Sequence, residues 1–283
     1  MIGQQLRFSF EFFPPKTDAG LEKFRVVRSQ LAQLKPEFFS VTYGAGGSTR
    51  DTTLSTVLET QNHSGIATAP HLSSVGDTRD SLRQLLNQYK EEGINRIVAL
   101  RGDLPSGMGA TGELTYASDL VKFIREETGD HFQLEVAAYP EVHPQAVSAD
   151  ADLKAFKLKV DAGANSAITQ YFFNIEAYHY FMDMCDKAAI DIPIYPGIMP
   201  ITNFTNLARF SDNCGAEIPR WIRKRLEGYG DDIESIKQFG EEVITRLVET
   251  LIDNGAPGIH FYTMNQAKPM LAIWDNLSLS ELA

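Results

Sequence analysis

The sequence is short of cysteine, of cationic side chains and of long apolar runs, and each shortage removes a class of function. Its two cysteines, Cys185 and Cys214, stand alone without CxxC or Cys/His spacing, so neither a disulfide framework nor a zinc centre is expected. Lys and Arg number 26 against 37 Asp and Glu, a formal net charge of -11. Nucleic-acid binding rests on clustered cations, so nucleic acid is not expected as a main partner. An anionic small molecule held by a few local cations stays compatible with that balance. No apolar run approaches the ~18 residues that span a bilayer. Met1 to Phe13 lacks the charged, apolar and small-residue order of a signal peptide. The expectation is a soluble cytoplasmic protein. No linker, low-complexity tract or break in composition divides its 283 residues.

What the sequence does contain is a repeated unit, an apolar strand ending in polar groups and followed by a helix. Arg7 to Phe13 alternates polar and aromatic residues and reads as a strand, with Arg7, Ser9 and Glu11 on one face and Phe8, Phe10 and Phe12 on the other. Further strands are expected at Phe38–Tyr43, Ile66–Ser73, from Arg96 to the Arg101-Gly102-Asp103 turn, and at Gln133–Pro140, Ser166–Phe173, Ile192–Pro200 and Gly258–Asn265. Helical periodicity fills the intervals, over Asp18–Leu34, Thr78–Glu92, Tyr116–Glu127, Ala149–Ala162, Ile175–Ala189 and about Ile233–Asn254, with shorter helices at Asn203–Asp212 and Pro219–Glu227. Gly44-Ala-Gly-Gly47 closes the second strand and Ser48 can cap the helix after it. Strand-helix alternation means a parallel sheet covered by helices. Eight such units, with no phosphate fingerprint after the first strand, favour a closed (β/α)8 TIM barrel, one domain over residues 1–283, above an open doubly wound sheet.

In a barrel of this kind the active site lies where the strands end. Those ends supply Glu11, Thr42 and Tyr43, His71, Arg101 to Asp103, Tyr139, Gln170 and Tyr262. Seven of eight strands thus bring a polar group to one rim, more than solvation of turns explains. No lysine stands at a strand end except Lys16 just past Pro15, which leaves a Schiff-base aldolase poorly supported. Clustered His and carboxylates for a divalent metal are lacking. The inventory suits a flat, hydrogen-bonding organic cofactor with one proton donor at hand. Flanked by Phe10, Phe12 and Phe13, Glu11 is expected to have a raised pKa from poor solvation; the competing reading pairs it with Arg7.

The runs Ser9-Phe-Glu-Phe-Phe-Pro-Pro15, Val41-Thr-Tyr-Gly44, Ala69-Pro-His-Leu72, Leu100-Arg-Gly-Asp-Leu-Pro105, Ala138-Tyr-Pro-Glu-Val-His-Pro144, Asp161-Ala-Gly-Ala-Asn165, Ile168-Thr-Gln-Tyr-Phe-Phe173, Pro196-Gly-Ile-Met-Pro200 and His260-Phe-Tyr-Thr263 are together specific. Over Arg7 to Asn265 the sequence resembles the bacterial type of 5,10-methylenetetrahydrofolate reductase. The resemblance implies an FAD-bearing barrel in which NADH (or NADPH) reduces the flavin and leaves. Methylenetetrahydrofolate then takes its place and is reduced to 5-methyltetrahydrofolate. It also implies a homo-oligomer, a tetramer, and no regulatory domain after the barrel. Glu11 matches the general acid that protonates the folate and lets its five-membered ring open. Asp103 matches an aspartate beside the flavin and the pterin. Thr42, Tyr43, His71, Arg101, Gly102, Tyr116, Ala117, Tyr139, His143, Asp152 and Lys159 match other flavin-contacting positions, and Gln170, Phe204 and Tyr262 match substrate or nicotinamide positions. Three places depart from the pattern. Ala155 and Leu158 stand where an Asn and an Arg commonly hold the adenylate half of FAD, and Gln266 stands where many relatives carry an arginine. Two readings compete with the reductase: a cofactor-free barrel lyase or aldolase using Glu11 and Asp103, and a catalytically silent flavin- or folate-binding protein.

Overall fold

The computed structural model describes residues 6–43, 50–102 and 112–279. Nine strands lie among them: β1 (Arg7–Phe12), β2 (Phe38–Val41), β3 (Thr68–Ser73), β4 (Arg96–Leu100), β5 (Gln133–Ala138), β6 (Ser166–Thr169), β7 (Ile194–Tyr195), β8 (Gly197–Ile198) and β9 (Gly258–Tyr262). The helices are α1 (Asp18–Ala32), α2 (Arg50–Ser64), α3 (Arg79–Glu91), α4 (Ala117–Thr128), α5 (Ala149–Asp161), α6 (Ile175–Lys187), α7 (Phe204–Cys214), α8 (Arg220–Tyr229), α9 (Ile233–Asp253) and α10 (Lys268–Asn276). Every strand pairing is parallel, and the strands run β7-β6-β5-β4-β3-β2-β1-β9-β8. β7 and β8 are the two halves of the expected seventh strand, split at Pro196. Proline has no N–H to give a ladder, so each half pairs on one side only, β7 with β6 and β8 with β9. The chain between them closes the ring. The carbonyl of Pro196 accepts the His260 N–H at 2.9 Å, and Thr169 Oγ1 accepts the Gly197 N–H at 2.9 Å. The fold is the expected TIM barrel, with its seventh strand in two pieces.

Alternation along each strand separates two cores. Outward residues such as Phe10, Phe39, Leu72, Ile97, Val136 and Phe261 pack under the helices and are all but fully buried. Phe10 and Phe261 stack with centroids 5.4 Å apart, and Phe8 meets Trp274 edge-on at 4.7 Å. Inward residues stack in layers. At the level where the strands begin, Arg96 donates to Glu37 and to Glu135, both at 2.6 Å, while Glu37 reaches Arg7 at 3.5 Å and Glu135 accepts from Ser166 Oγ. Above them Phe38, Ala69, Val98 and Ile168 form an apolar plug, with the Arg96 guanidinium 4.3 Å from the Phe38 ring centroid. The top layer is polar again and contains Glu11.

Most helix starts follow from local chemistry. Thr17, Thr78, Ser148, Asn203 and Asp232 each accept an N–H of the first turn and satisfy groups that the helix itself leaves unpaired. These caps set where each helix leaves the rim.

Candidate active site

The rim divides into two arcs. Strands β2 to β5, with the loops that follow them, carry every described position matched to the flavin except Tyr116 and Ala117 at the start of α4 and Asp152 and Lys159 on α5. Strands β6 to β9, with the loops that follow them, carry Gln170, Phe204, Tyr262 and Gln266. On one side the arcs meet at β1, which pairs with β2 and with β9. Glu11 sits on that seam, next to the top of the barrel interior, its side chain 17% exposed.

Its neighbours come from both arcs. His71 Nε2, on β3, lies 3.2 Å from Glu11 Oε2; His260 Nε2, on β9, lies 3.7 Å away. Neither contact is aligned as a hydrogen bond, and among the described residues neither buried ring nitrogen has a hydrogen-bond partner. His260 is held from behind by Ser9 Oγ, 2.7 Å from its Nδ1, and from the side by the Phe38 ring. Ser9 pairs in register with His260 and Glu11 with Tyr262, so the group is set by the β1–β9 ladder. Burial pushes the Glu11 carboxyl up, but the charge of His71 and the polar contacts of both rings outweigh it and hold the pKa down at about 2. This reverses the expected rise. Phe10 and Phe12 point into the helix layer, away from Glu11, and the His71 and His260 imidazoles lie beside its carboxylate. Arg7 lies at the other end of β1 and pairs with Glu37.

The cofactor arc is built in part by interlocking side chains. Thr42 and Tyr43 follow β2; the Thr42 carbonyl accepts from Thr53 at 3.1 Å, and Tyr43 Oη accepts from Arg50 Nε at 3.2 Å. Arg50 also reaches Asp77 at 2.5 Å and Ser81 at 3.1 Å, tying the ends of β2 and β3 together; burial lowers its pKa, and Tyr43 and Asp77 together outweigh that and hold it above the ordinary value. Arg101 donates to Gln145 at 2.6 Å and to the Gly102 carbonyl at 3.3 Å. Gly102 has φ +85, and a side chain there would run into Ser73, so glycine is required twice over. Tyr116, at the start of α4, is 62% exposed, with its N–H held by Asp119 at 2.9 Å, and Ala117 follows it. Tyr139 and His143 meet edge-on with centroids 4.5 Å apart, and Asp152 accepts the His143 N–H at 2.8 Å. Between them Val142 adopts φ +69, a strained backbone for a β-branched residue.

Lys159 lies on α5. Its Nζ turns back onto the Ala137 carbonyl at 2.6 Å, beside the Phe156 ring, and burial lowers its pKa to about 8. Ala155 and Leu158 lie exposed on α5. Asp103, the Gly44–Gly47 turn, Ser48 and most of the glycine-rich loop after β4 lie outside the described residues.

In the substrate arc, Gln170 follows β6 and bonds its own chain, accepting the Tyr171 N–H at 3.0 Å. Phe204 opens α7, with the Arg223 guanidinium 6.0 Å from its ring centroid. Tyr262 ends β9 and donates to the Thr169 carbonyl at 2.7 Å, bracing β9 against β6 across the split strand. Burial raises its pKa well above the ordinary value. Gln266 is exposed in the loop after β9. Sequence patterning places Ser9 on the Glu11 face but assigns no site role to His260 or Arg50. The alternation that selects Tyr262 also selects His260, two residues earlier on the same inward face, and that signal was available.

The methylenetetrahydrofolate reductase family model matches residues 2–278. The chain is 44% identical over 275 residues to 5,10-methylenetetrahydrofolate reductase of Escherichia coli (strain K12), covering 97% of this chain and 92% of that one. It is 36% identical to methylenetetrahydrofolate reductase (NADH) 1 of Arabidopsis thaliana, covering 97% of this chain and 49% of that longer one. Among solved structures, an uncharacterized protein from Clostridium thermocellum that binds two copies of 5-methyl-5,6,7,8-tetrahydrofolic acid superposes with a TM-score of 0.68 at 17% identity, over 99% of this chain and 97% of that one. A 2,3-dimethylmalate lyase superposes with a TM-score of 0.51 at 8% identity, over 98% of this chain and 81% of that one. At such identities the two structures support the barrel fold alone, and the sequence matches decide the family. The chain is an enzyme of the oxidoreductase class and belongs to the methylenetetrahydrofolate reductase family.

Proposed function

We propose that this enzyme reduces 5,10-methylenetetrahydrofolate to 5-methyltetrahydrofolate with NADH as reductant, the two ligands using one site in turn. FAD, when bound, supplies the chemistry of accepting a hydride from one ligand and giving it to the other. The residues present fit such a group. Thr42, Tyr43, His71, Arg101, Gly102, Tyr139 and His143 form one continuous arc of donors, acceptors and aromatic edges. His71 adds a buried ring nitrogen that, among the described residues, has the Glu11 carboxylate at 3.2 Å and no aligned hydrogen bond. Arg101 and Asp152 are fixed by Gln145 and the His143 N–H, and so are positioned in advance. At the adenylate end the exposed Ala155 and Leu158 offer no charge or hydrogen-bonding side chain. Asp103 is proposed to face the reacting centre from the β4 end.

The observation that carries the reading is Glu11 on the seam of the two arcs with an imidazole from each side. A proton for ring opening of the folate leaves from the Glu11 carboxyl. At a pKa of about 2 that carboxyl is ionised at neutral pH. Two properties of the site bear on reprotonation. The His71 and His260 rings lie 3.2 and 3.7 Å from the carboxylate, within reach for proton transfer. Burial already acts on Glu11 as the largest upward influence, and flat rings laid over its exposed edge strengthen it. Glu11 thus becomes an acid only when ligand covers it, which keeps the proton from being lost to solvent beforehand. The free thiols Cys185 and Cys214 suit the cytoplasm proposed for this reaction. The test is a rapid-mixing experiment on Glu11→Gln: NADH should still bleach the cofactor, and methylenetetrahydrofolate should no longer restore its colour. Parental folate reduction by that variant would refute the role of Glu11.

A further inference from the structure

We propose that Thr263 and Asn265 are positioning residues for Glu11, joined in a side-chain clamp that fixes the end of β1 on its β9 side, past the last β1–β9 pair. The inference rests on the reading of Glu11 as the proton donor and adds the elements that aim it.

The need for a clamp is written in the sequence. Glu11 is the penultimate residue of β1, and the chain continues Phe12, Phe13, Pro14, Pro15. Two consecutive prolines offer no N–H, so parallel pairing cannot continue past Phe13. The β1–β9 ladder accordingly stops at the Glu11–Tyr262 pair. On the other side β1 stays paired with β2 as far as Phe12–Val41, and the Phe12 carbonyl accepts the Thr42 N–H at 2.9 Å. On the β9 side the residues after Glu11 need another hold if the carboxylate is to keep its register with His71 and His260.

The loop after β9 takes over from the ladder. Thr263, fully buried, donates Oγ1–H to the Glu11 carbonyl at 2.6 Å, while its own N–H reaches the same oxygen at 3.3 Å. Thr263 Oγ1 also accepts the Asn265 N–H at 3.1 Å. The Asn265 amide then pairs with the backbone of Phe13 in both directions: Oδ1 accepts the Phe13 N–H at 3.1 Å, and Nδ2 donates to the Phe13 carbonyl at 2.9 Å. A side-chain amide thus imitates the peptide group that a longer β9 would have presented. Folding back in this way requires an unusual backbone, and Met264 and Asn265 both adopt φ +52. Left-handed residues in succession are costly for anything but glycine, asparagine or aspartate, and strain of this kind persists where the surroundings enforce it. Anchoring the backbone on both sides of residue 12 leaves Glu11 little freedom to shift against the two imidazoles.

Asn265→Gly separates the two contributions, because glycine accepts the left-handed backbone and removes only the amide. The assay follows the two half-reactions separately by cofactor absorbance, together with the pH profile of the folate step and the melting temperature. The expected result is a folate step slowed by roughly 10- to 100-fold, as for a misplaced reacting group. The loss should appear in kcat rather than KM, the pH profile should be displaced, and the NADH step should stay at the parental rate. If the glycine variant does not fold, Asn265→Asp, which keeps the acceptor for the Phe13 N–H and loses the donor to its carbonyl, should show a smaller change in the same direction. Parental folate kinetics and pH profile in a folded variant, alongside an inactive Glu11→Gln, would overturn the clamp alone. Parental behaviour of Glu11→Gln as well would overturn the acid role and the clamp with it. Equal slowing of both half-reactions would mark a general structural role and also overturn the proposal.

Discussion

Arg96→Met tests the layered interior most severely. Arg96 is the cation between Glu37 and Glu135, 2.6 Å from each, and Glu135 is fully buried. Burial already holds the Glu135 pKa above its ordinary value, with Arg96 the largest influence opposing that rise. Methionine fills similar volume and keeps contact with the Phe38 ring but leaves Glu135 with Ser166 as its remaining partner. Removing one member of a buried pair costs about 3–5 kcal/mol. With an unfolding entropy of ~2.1 cal/mol/K per residue, that corresponds to a melting temperature lower by about 5–8 °C for a chain of this length. The deficit should depend on pH. A carboxyl whose folded-state pKa is raised loses stability as pH rises from its ordinary value through the folded one, so the variant should fall further below the parent at pH 8 than at pH 5. Arg96→Met combined with Glu135→Leu removes the stranded charge and should recover most of the loss. Urea and thermal unfolding followed by circular dichroism, on both variants at both pH values, decides it. A single variant within about 1 kcal/mol of the parent, or a double variant no better than the single, would refute the reasoning.

Three further outcomes follow from the same geometry. Replacing His71 and His260 together by asparagine leaves burial as the main influence on Glu11, so its titration should move from about 2 to above the ordinary 4.5, as read from the carboxyl carbon shift of labelled glutamate. A carboxyl still titrating near 2 would show that the imidazoles are not the cause. The parent should also lose stability as pH falls from 4.5 towards 2, where its depressed carboxyl is protonated, and that acid limb should be absent from the double variant. Gly197→Ala places a methyl against the Thr169 carbonyl and the Tyr262 ring at the closure of the barrel. Overpacking of this sort costs about 1–3 kcal/mol, and a melting curve unchanged from the parent would contradict the close packing described there.

How far the sequence could be read differs along the chain. The barrel was legible because apolar strand runs alternate with stretches of helical periodicity, with polar residues collected at one end of the strands. The split of the seventh strand was visible as Pro196 but not its consequence, since only the ladder partners show that each half faces one neighbour. The position of Glu11 was legible and its electrostatics were not. The three phenylalanines adjacent in sequence suggested a dry acid, but Phe10 and Phe12 share the opposite face, and the groups that govern Glu11 arrive from residues 71 and 260. A pKa depends on contacts across the barrel, which neighbours in sequence do not reveal. The Arg96–Glu135 pair was hidden for the same reason, as two charges on separate strands whose inward faces meet only once the ring is closed. Lys159 was matched by position alone, and the direction of its side chain depends on the Ala137 carbonyl beside it.

The central claim is that this barrel passes a hydride from a nicotinamide to a folate through a bound flavin, with Glu11 handling the proton. An anaerobic titration of the purified protein, supplied with FAD and followed by visible absorbance, tests it most directly. A flavin spectrum that NADH bleaches and methylenetetrahydrofolate then restores is the result predicted. A protein that remains colourless with FAD, or whose spectrum NADH does not change, would contradict it.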